Sequence, residues 1–424
     1  MALRTHLNQQ STIEKRESSL FSNVLITGMG ACSAGGVDLS TLWKNTVDGN
    51  VHATMEAFPH IECPLPLYRA PSLSFEGAIR LSLRNADRSA HLALAAAQEA
   101  WISAGLEIGE ISPERLGVII GTARGPIGFQ EQCFSSLAKS HVKSKPTASL
   151  YTAFSSLPAL VAKTMKAEGP SFIVSSSCTS GATALHTAAG MIQSGLLDMV
   201  IVGGVEAPLT GMLLEQYYQT GILSTHQPAH RALAPFDQDR SGTVLGEGAA
   251  CVILESKKSA QRRTAPVLGS LSAISLGSQS RYRAGLDPEG TSLKKILHQS
   301  LQEGSLLPSQ IHLIHLHGTG TRLHDLLESR AAASFFGEVK DQPYAWATKA
   351  ITGHTLGAAA LFQLVLTLCV LRDGIVPPIA NCIRPDPLSP LRLVTAKTPL
   401  HGPSQALCLT AGFWGNVASV IVSR

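Results

Sequence analysis

The fold of this chain is constrained most by a series of short apolar runs, each followed by small residues and then by a helix-forming segment. Runs of this kind predict strands that are buried on both faces. In the first part of the chain we predict strands at 23–30, 116–123, 171–178, 198–207 and 248–256. In the second part we predict strands at 265–278, 311–318, 405–413 and 416–423. Apolar strands that alternate with helices indicate an α/β fold with parallel-rich sheets covered on both faces.

The order of elements is similar in the two parts, although the sequence itself shows no clear repeat. Helices are predicted at 179–195, 292–304, 325–336 and 356–371. The charged stretch "KKSAQRRT" at 257–264 gives the internal boundary. We therefore divide the chain into a flexible N-terminal arm at 1–22, an N-terminal half at 23–259 and a C-terminal half at 260–424.

The composition limits the classes of function. Charged residues make up 15% of the chain and hydrophobic residues 44%, whereas about 25% charged residues is typical. Because so few charges must cover the surface, we expect a hydrophobic oligomer interface in addition to the core. The net charge of +4 comes without a basic stripe interleaved with aromatics, which disfavours nucleic-acid binding. The eight cysteines form no CxxC pair, so we expect a reducing, cytoplasmic location.

Two segments could be mistaken for targeting or membrane elements. The start, "MALRTHLNQQSTIEKRESS", lacks the apolar core of a secretory signal and predicts a polar arm. The stretch "LGAAALFQLVLTLCVL" at 356–371 is interrupted by Gln363 and falls short of the roughly 18 apolar residues of a membrane span. It predicts a buried core helix, and we expect no membrane association.

The segment "TGMGACSAGG" resembles a nucleotide-binding turn only in part. Gly28 and Gly30 follow a strand, but Ser33 stands where a third glycine would be needed. The next residues, "VDLSTLWKNTVDG", predict a helix with no suitable second strand after it. The glycines therefore predict a tight turn.

Cys178 lies where a predicted strand ends and a predicted helix begins, within "SSSCTSG". A helix N-terminus lowers the pKa of a thiol and so favours the nucleophilic thiolate. The small neighbours leave room for a substrate. Position alone leaves the alternative of a buried, inert cysteine open.

Two histidines lie at similar places. His317 begins "HGTGT" at 317–321, and His354 follows Lys349 in "ATKAITGHTLGAAALFQ" at 347–363. In open α/β layers, ligands bind at the carboxyl ends of strands. Cys178, His317 and His354 are therefore candidates for one shared site.

Four motifs, in this order, resemble those of the β-ketoacyl-acyl-carrier-protein synthases, the decarboxylating condensing enzymes of the thiolase superfamily. They are "SSSCTSGATALH", "PFDQDRSGTVLGEGAA", "HGTGT" and "KAITGHTLGAAA". The chain is most similar to the elongating type II ketosynthases of fatty-acid and polyketide synthesis, from about Val24 to its C-terminus. The resemblance implies a five-layered αβαβα thiolase-like fold made of two related halves.

The resemblance also implies an acyltransferase that joins a cysteine-bound acyl chain to malonyl-acyl carrier protein (malonyl-ACP) with loss of CO₂. Cys178 would carry the acyl chain as a thioester, and His317 and His354 would promote decarboxylation and stabilise the enolate. Lys349 would support the histidines electrostatically. The backbone N–H groups of Cys178 and Phe413 would form the oxyanion hole.

Further roles follow from the same resemblance. Thr319 and Thr321 would hydrogen-bond the phosphopantetheine arm, and Asp325 and Glu328 would support the polar network around the lysine. We expect no metal and no cofactor of the chain's own, because acyl carrier protein (ACP) brings the phosphopantetheine. We expect ACP as a partner, and a homodimer or a heterodimer with another ketosynthase-like subunit. Arg124 and Lys143 are candidate surface cations for carrier docking.

The chain departs from the family pattern at four positions. In "GFWGNVAS", Trp414 replaces a glycine of the loop that gates the acyl pocket in relatives, and Val417 falls where asparagine is usual. His324 stands where a small residue or asparagine is usual, and Gln363 where glutamate is common. These differences favour a specialised polyketide or aryl-polyene pathway over housekeeping fatty-acid elongation.

Three alternatives remain open at this point. The chain could be a non-catalytic chain-length partner of a ketosynthase, but such subunits typically lack the cysteine. It could be a metal hydrolase that uses His315 and His317 with Asp325, because HxH at a strand end suits zinc. It could be a biosynthetic thiolase, but "AGFWGN" lacks the late catalytic cysteine of that family.

Overall fold

The computed structural model describes residues 21–139, 146–280, 287–402 and 404–424. Residues 1–20 of the predicted arm lie outside the described residues. Lys143 also lies outside them. At the end of the arm Phe21 is buried and packs edge-on against His186, with 5.7 Å between the ring centroids. The core thus begins slightly earlier than the sequence predicts.

The main sheet has ten strands in the described part of the chain. They are β1 Val24–Ser33, β2 Leu116–Gly121, β3 Ser171–Val174, β4 Met199–Glu206, β5 Gly248–Ser256, β6 Gly269–Ser278, β7 Ile311–His315, β8 Tyr344–Trp346, β9 Gln405–Ala411 and β10 Asn416–Ser423. Two small two-stranded sheets, Thr54–Glu56 with Leu65–Leu67 and Ile375–Val376 with Thr398–Pro399, lie beside it.

The strand order shows that the two halves share one topology. The first half has the order β3-β2-β4-β5-β1, and the second has the matching order β8-β7-β9-β10-β6. In the first half β2 runs parallel to its neighbours β3 and β4, and in the second half β7 runs parallel to its neighbours β8 and β9. The other neighbouring strands within each half are antiparallel. The two related halves predicted from element order are therefore confirmed.

The halves are also joined edge to edge. Strand β1 pairs with β6 at Leu25–Ser270 and Ile26–Gly269, which makes one continuous sheet of the two five-stranded units. The charged stretch at the predicted boundary folds into a short helix, Lys257–Arg262. The division of the chain between residues 259 and 260 stays a prediction.

The described helices are α1 Leu39–Asp48, α2 Gly77–Leu83, α3 Arg88–Ser103, α4 Ile127–Ala138, α5 Ala148–Thr152, α6 Ser156–Met165, α7 Ser180–Gln193, α8 Gly211–Gln219, α9 Lys257–Arg262, α10 Thr291–Gly304, α11 Arg322–Phe336, α12 Lys349–Thr352 and α13 Ala359–Asp373. Helices α3 and α6 cover the outer face of the first half. Helices α7 and α13 lie between the halves and contact strands of both, and α10 packs with α11 outside the second half. The five αβαβα layers are confirmed.

Helix α13 is the apolar segment that the sequence places in the core. The helical stretch Leu356–Asp373 is long and apolar enough to cross a membrane, but 83% of it is buried inside the protein. Burying one large aliphatic side chain stabilises a fold by about 1.5–3 kcal/mol, so this central helix is a major source of stability. The prediction of a buried core helix is confirmed.

The prediction of a tight turn at Gly28 and Gly30 is wrong, because both residues lie inside β1. A Cβ on Gly28 would come within 2.1 Å of the Ala100 carbonyl oxygen, and one on Gly30 within 2.5 Å of the Ala96 carbonyl oxygen. The glycines therefore let the strand approach the backbone of α3 closely.

Candidate active site

The turn from β3 to α7 holds Cys178 just before the helix begins. Ser177 has a left-handed backbone, with φ of 57°, a conformation that costs a non-glycine residue energy and is common at functional sites. The Ser180 hydroxyl accepts from the Ser176 N–H at 2.9 Å and donates to the Ser177 carbonyl at 2.6 Å. These bonds fix the turn and present the Cys178 sulfur to the interior between the halves.

The loop after β7 is held by two buried carboxylates of α11. Glu328 accepts from the backbone N–H groups of His317 at 2.6 Å and Gly318 at 2.8 Å. Asp325 accepts from the backbone N–H of Thr319 at 2.9 Å and from that of Gly320 at 3.1 Å. The glycine-rich loop therefore has a defined shape, which fixes the histidine that begins it.

The turn after β8 places Lys349 and His354 on either side of His317. The Lys349 ammonium lies 3.3 Å from His317 Nδ1 and also donates to the His317 carbonyl. The backbone N–H of His354 donates to the Val244 carbonyl at 2.8 Å. Because the ammonium donates to Nδ1, the Nε2 atom of His317 carries the proton and can donate.

The three turns meet at one point. His354 Nε2 lies 3.5 Å from Cys178 Sγ, and the His317 and His354 ring centroids lie 5.3 Å apart with their planes at 83°. These three side chains line a cavity of about 260 Å³ together with Thr319 and Phe413. The structure thus brings the sequence-predicted cysteine and histidines together.

The loop after β9 closes the cavity beside the sulfur. A Cβ on Gly412 would come within 3.1 Å of the Cys178 backbone nitrogen, so the loop passes directly against Cys178. The Phe413 ring stacks on Tyr217, with centroids 6.3 Å apart and an interplanar angle of 22°. The backbone of residues 412–413 is therefore next to the Cys178 N–H.

Burial controls the charges in this site. Burial, and then the charge of Lys349, lower the pKa of His317 and His354 well below the ordinary value, so both rings are neutral. Burial lowers the pKa of Lys349 to about 8, whereas Glu328 raises it. Burial raises the pKa of Glu328 to about 8, and that of Asp325 to about 6, against the effect of the N–H groups that bind them.

The expectation that the helix N-terminus lowers the pKa of Cys178 is wrong for the resting site. Burial raises the pKa of this thiol, although the Ser177 hydroxyl and the charge of Lys349 act in the opposite direction. Desolvation penalises a thiolate in a closed apolar pocket. The resting residue is therefore a thiol that must lose its proton during the reaction.

The metal set proposed from His315 and His317 does not form. His315 Nδ1 lies 2.9 Å from the Thr367 hydroxyl and Nε2 lies 3.0 Å from the Thr348 hydroxyl, so both nitrogens have partners. Two other groups have ligand atoms within 4.8 Å of one another: Cys178 with His317 and His354, and His324 with Asp325 and Glu328. In the second group both carboxylates already accept backbone N–H groups.

The four departures from the family pattern have distinct surroundings. His324 lies beside His317, with 5.1 Å between ring centroids. The Gln363 amide donates to the carbonyls of Leu316 at 2.8 Å and Leu409 at 3.0 Å, which a carboxylate could not do. Trp414 is 68% exposed with a left-handed φ of 64°. Val417 is buried within β10.

Sequence reasoning missed part of the cavity wall and the partial burial of one cation. Tyr217, Ile222 and Leu356 line the cavity, and only their tertiary contacts reveal it. Arg124, expected on a docking surface, is half-buried, and its Nη2 donates to the Tyr217 hydroxyl at 3.2 Å. A role of Arg124 in carrier docking stays a prediction.

A duplicated α/β fold that holds a cysteine against two neutral histidines defines the class of the thiol-dependent condensing enzymes. The chain belongs to the β-ketoacyl synthase family: residues 22–260 match the beta-ketoacyl synthase N-terminal domain and residues 268–383 the C-terminal domain.

Two curated relatives match over nearly their whole length. The chain is 29% identical over 407 residues to 3-oxoacyl-[acyl-carrier-protein] synthase 2 of Coxiella burnetii, covering 95% of this chain and 98% of the relative. It is 29% identical over 415 residues to the tetracenomycin polyketide synthase ketoacyl synthase alpha subunit of Streptomyces glaucescens, covering 95% and 97%.

Two solved structures have the same fold. One is a type II polyketide synthase acyl-carrier protein in complex with its ketosynthase bound to the hexaketide, with a TM-score of 0.86 and 25% identity over 95% of this chain and 99% of that one. The other is a ketosynthase in complex with its chain length factor from Xenorhabdus doucetiae, with a TM-score of 0.82 and 26% identity over 95% and 98%.

Proposed function

We propose that this chain catalyses the decarboxylative Claisen condensation of a Cys178-bound acyl chain with malonyl-ACP to give β-ketoacyl-ACP. The observation that carries the proposal is the 3.5 Å approach of His354 Nε2 to Cys178 Sγ in the cavity that His317 also lines. Carbon–carbon bond formation by this route needs a nucleophile that is also a leaving group, which a thiolate supplies.

In the first step the Cys178 sulfur attacks the acyl thioester of the carrier. A new C–S bond forms, the bond to the phosphopantetheine sulfur breaks, and the cysteine proton ends on the departing thiol. The tetrahedral oxyanion accepts hydrogen bonds from the backbone N–H groups of Cys178 and Phe413. His354, with its proton on Nε2, donates to the sulfur while the thiolate forms.

In the second step malonyl-ACP loses CO₂, and the electron pair of the broken C–C bond forms an enolate. The enolate oxygen accepts hydrogen bonds from Nε2 of His317 and of His354, and each such donor typically contributes about 3–4 kcal/mol. Lys349 fixes the His317 tautomer through Nδ1. The enolate carbon then attacks the acyl thioester, and the Cys178 thiolate leaves and takes up a proton.

The carrier arm enters past Thr319 and Thr321, whose hydroxyls lie 2.9 Å apart on the cavity wall. We propose that both hydroxyls bind the phosphopantetheine arm, which is the only prosthetic group the reaction uses. Leu323 and Trp414 are 67% and 68% exposed, and Arg322 is exposed between the threonines and Leu323. We propose this apolar rim with its exposed arginine as the docking surface for an acidic carrier protein.

A dimer is the proposed assembly. Strand β3 is an edge of the described sheet, with β2 as its single neighbour, and can pair with another copy or with a related subunit. Phe134, Leu137 and Leu150 are 67%, 52% and 67% exposed, which fits the expected hydrophobic interface. We propose a cytoplasmic location, where carrier-bound substrates are made.

The alternative of a non-catalytic chain-length partner requires the reacting groups to be absent or separated. Instead, Cys178 contacts His354, the His354 ring lies edge-on to His317, and His317 contacts Lys349, which supports the catalytic assignment.

The test is intact-protein mass spectrometry of the chain mixed with acyl-loaded carriers, followed by malonyl-ACP. We expect an acyl mass gain that is absent from Cys178→Ala, and then β-ketoacyl-ACP with CO₂. A protein that gains no acyl group from any donor, with or without a related subunit, would support the chain-length partner instead.

A further inference from the structure

A half-buried guanidinium lies behind the acyl side of the cavity. Arg124 follows β2, whose neighbour β3 leads to Cys178. The Arg124 Nη2 donates to the Tyr217 hydroxyl at 3.2 Å, and its Cζ lies 5.5 Å from the centre of the Tyr217 ring. Burial raises the pKa of the nearby Glu206 carboxyl and the charge of Arg124 lowers it, but the guanidinium has no ion-pair partner among the described residues.

Tyr217 connects this cation to the reaction site. Its ring is 6% exposed, lines the cavity with Cys178, and stacks on Phe413. Leu213, Leu214 and Leu356 belong to the same apolar cluster as Cys178. A chain attached to the sulfur therefore meets an apolar wall first and the hydroxyl and guanidinium beyond it.

Most of the hydrogen-bonding capacity of Arg124 is free. A guanidinium has five N–H donors. Among the residues that the structure describes, the Tyr217 hydroxyl is the one acceptor of the Arg124 donors. Glu206, the nearby buried carboxyl, accepts through Oε1 from the Ala123 N–H and the Thr122 hydroxyl, and no hydrogen bond joins it to Arg124 among the described residues, although its Oε2 has no partner. The remaining N–H donors of the Arg124 guanidinium can therefore bind a planar oxygen-bearing group.

We propose that Arg124, positioned by Tyr217, binds an oxygen-bearing group at the far end of the acyl chain carried on Cys178. The preferred acyl chains then have an apolar stem and end in a carboxylate or a phenol rather than in a methyl group. This inference deepens the proposed function and rests on it. A guanidinium held beside the Tyr217 hydroxyl, on the cavity wall, can bind such a group through charge-assisted hydrogen bonds.

The test compares acyl carriers that differ only at the far end of the chain. Straight acyl chains of increasing length are loaded with a methyl, a carboxylate or a hydroxyphenyl end, and the rate of mass gain on Cys178 is measured for each. We expect the wild type to prefer one of the two oxygen-bearing series over the methyl series by about tenfold at its best length. The series that wins distinguishes a carboxylate from a phenol.

Matched variants separate this role from a structural one. In Arg124→Leu we expect the ratio between the preferred and the methyl-ended donor to fall to about one, and in Arg124→Lys to be partly restored. Arg80→Leu, at an exposed arginine of α2 that does not line the cavity, should keep the wild-type ratio. Tyr217→Phe offers a second test, because it removes the hydroxyl that positions the guanidinium and should lower the ratio without abolishing it.

Three results would overturn the proposal. Wild-type protein that shows no preference among the chain ends, or an unchanged preference in Arg124→Leu, contradicts it while leaving the proposed function intact. An unchanged ratio together with a weaker dimer would assign the guanidinium to a carboxylate of the second subunit. Failure of every donor to acylate the wild type would contradict the proposed function itself, and the inference with it.

Discussion

The turns that follow β3 and β8 occupy equivalent places in the two halves, yet they carry different chemistry. The first leads directly into α7 and presents the Cys178 thiol. The second inserts α12 and a 3₁₀ turn, Leu356–Ala358, before α13, and presents Lys349 and His354. The same strand order thus brings a thiol from one half and an ammonium and an imidazole from the other to one cavity. Topology sets where side chains meet, and the turn sequence sets what they do.

The turns after β2 and β7 make a second such pair. In the second half this turn holds His317, fixed by Glu328. In the first half it holds Arg124, bonded to Tyr217. If the proposed roles hold, the first half supplies the acyl carrier Cys178 and the second half supplies most of the groups that act on the extender unit.

We expect the largest loss of activity from a substitution in the first half, at Cys178. The variant Cys178→Ala should lower condensation by at least about 10³-fold, because Cys178 is the one thiol among the described residues that line the cavity. Product formation is measured with acyl- and malonyl-loaded carriers. Cys133→Ala, at a half-buried cysteine of α4, is the matched control and should act like the wild type.

Substitution of the histidines in the second half should largely preserve acyl loading of Cys178 and should slow malonyl decarboxylation. His317→Ala and His354→Ala should each reduce malonyl decarboxylation by about 10²–10³-fold, since each removes one donor to the enolate oxygen. Release of CO₂ is the measurement. The exposed His312 of β7 offers the control His312→Ala. Equal loss in that control would show that the effect comes from the fold rather than from the donors.

The pH dependence of the decarboxylation rate tests the proposed role of Lys349. Burial lowers its pKa to about 8, so the ammonium is present below about pH 8 and is lost above it. We expect the decarboxylation rate to fall by about tenfold or more as pH rises through that value. In Lys349→Met the rate should be low and should vary much less over the same window. A wild-type rate that rises steadily from pH 7 to 10 would contradict this assignment.

The smallest expected effect concerns the loop that closes the site. Trp414→Gly replaces a non-glycine residue that has a left-handed backbone conformation. The free energy of unfolding, measured by calorimetry, should rise by about 1 kcal/mol. The substitution should also favour longer acyl chains, because the loop gains freedom. Trp414→Ala keeps the backbone strain and is the matched control. If the alanine variant is as stable as the glycine variant, the strain at this position is negligible.

The sequence predicts the fold and the meeting of Cys178, His317 and His354 in one cavity, because both depend on local patterns. The predicted apolar strands lie within a few positions of the observed ones, but the short strand β8 is not predicted. The edge pairing of β1 with β6 was not predictable, since it depends on how the two halves approach each other. The raised pKa of Cys178 and the inward position of Arg124 likewise depend on tertiary burial.

The most direct test of the division between the halves is a single-turnover chase followed by intact-protein mass spectrometry. Wild-type protein and the double variant His317→Ala/His354→Ala are first loaded with the same acyl group, and malonyl-ACP is then added. We expect both proteins to gain the acyl mass on Cys178, but only the wild type to lose it within the chase and to yield β-ketoacyl-ACP and CO₂. A double variant that discharges its acyl group as fast as the wild type would contradict the proposed role of the two histidines.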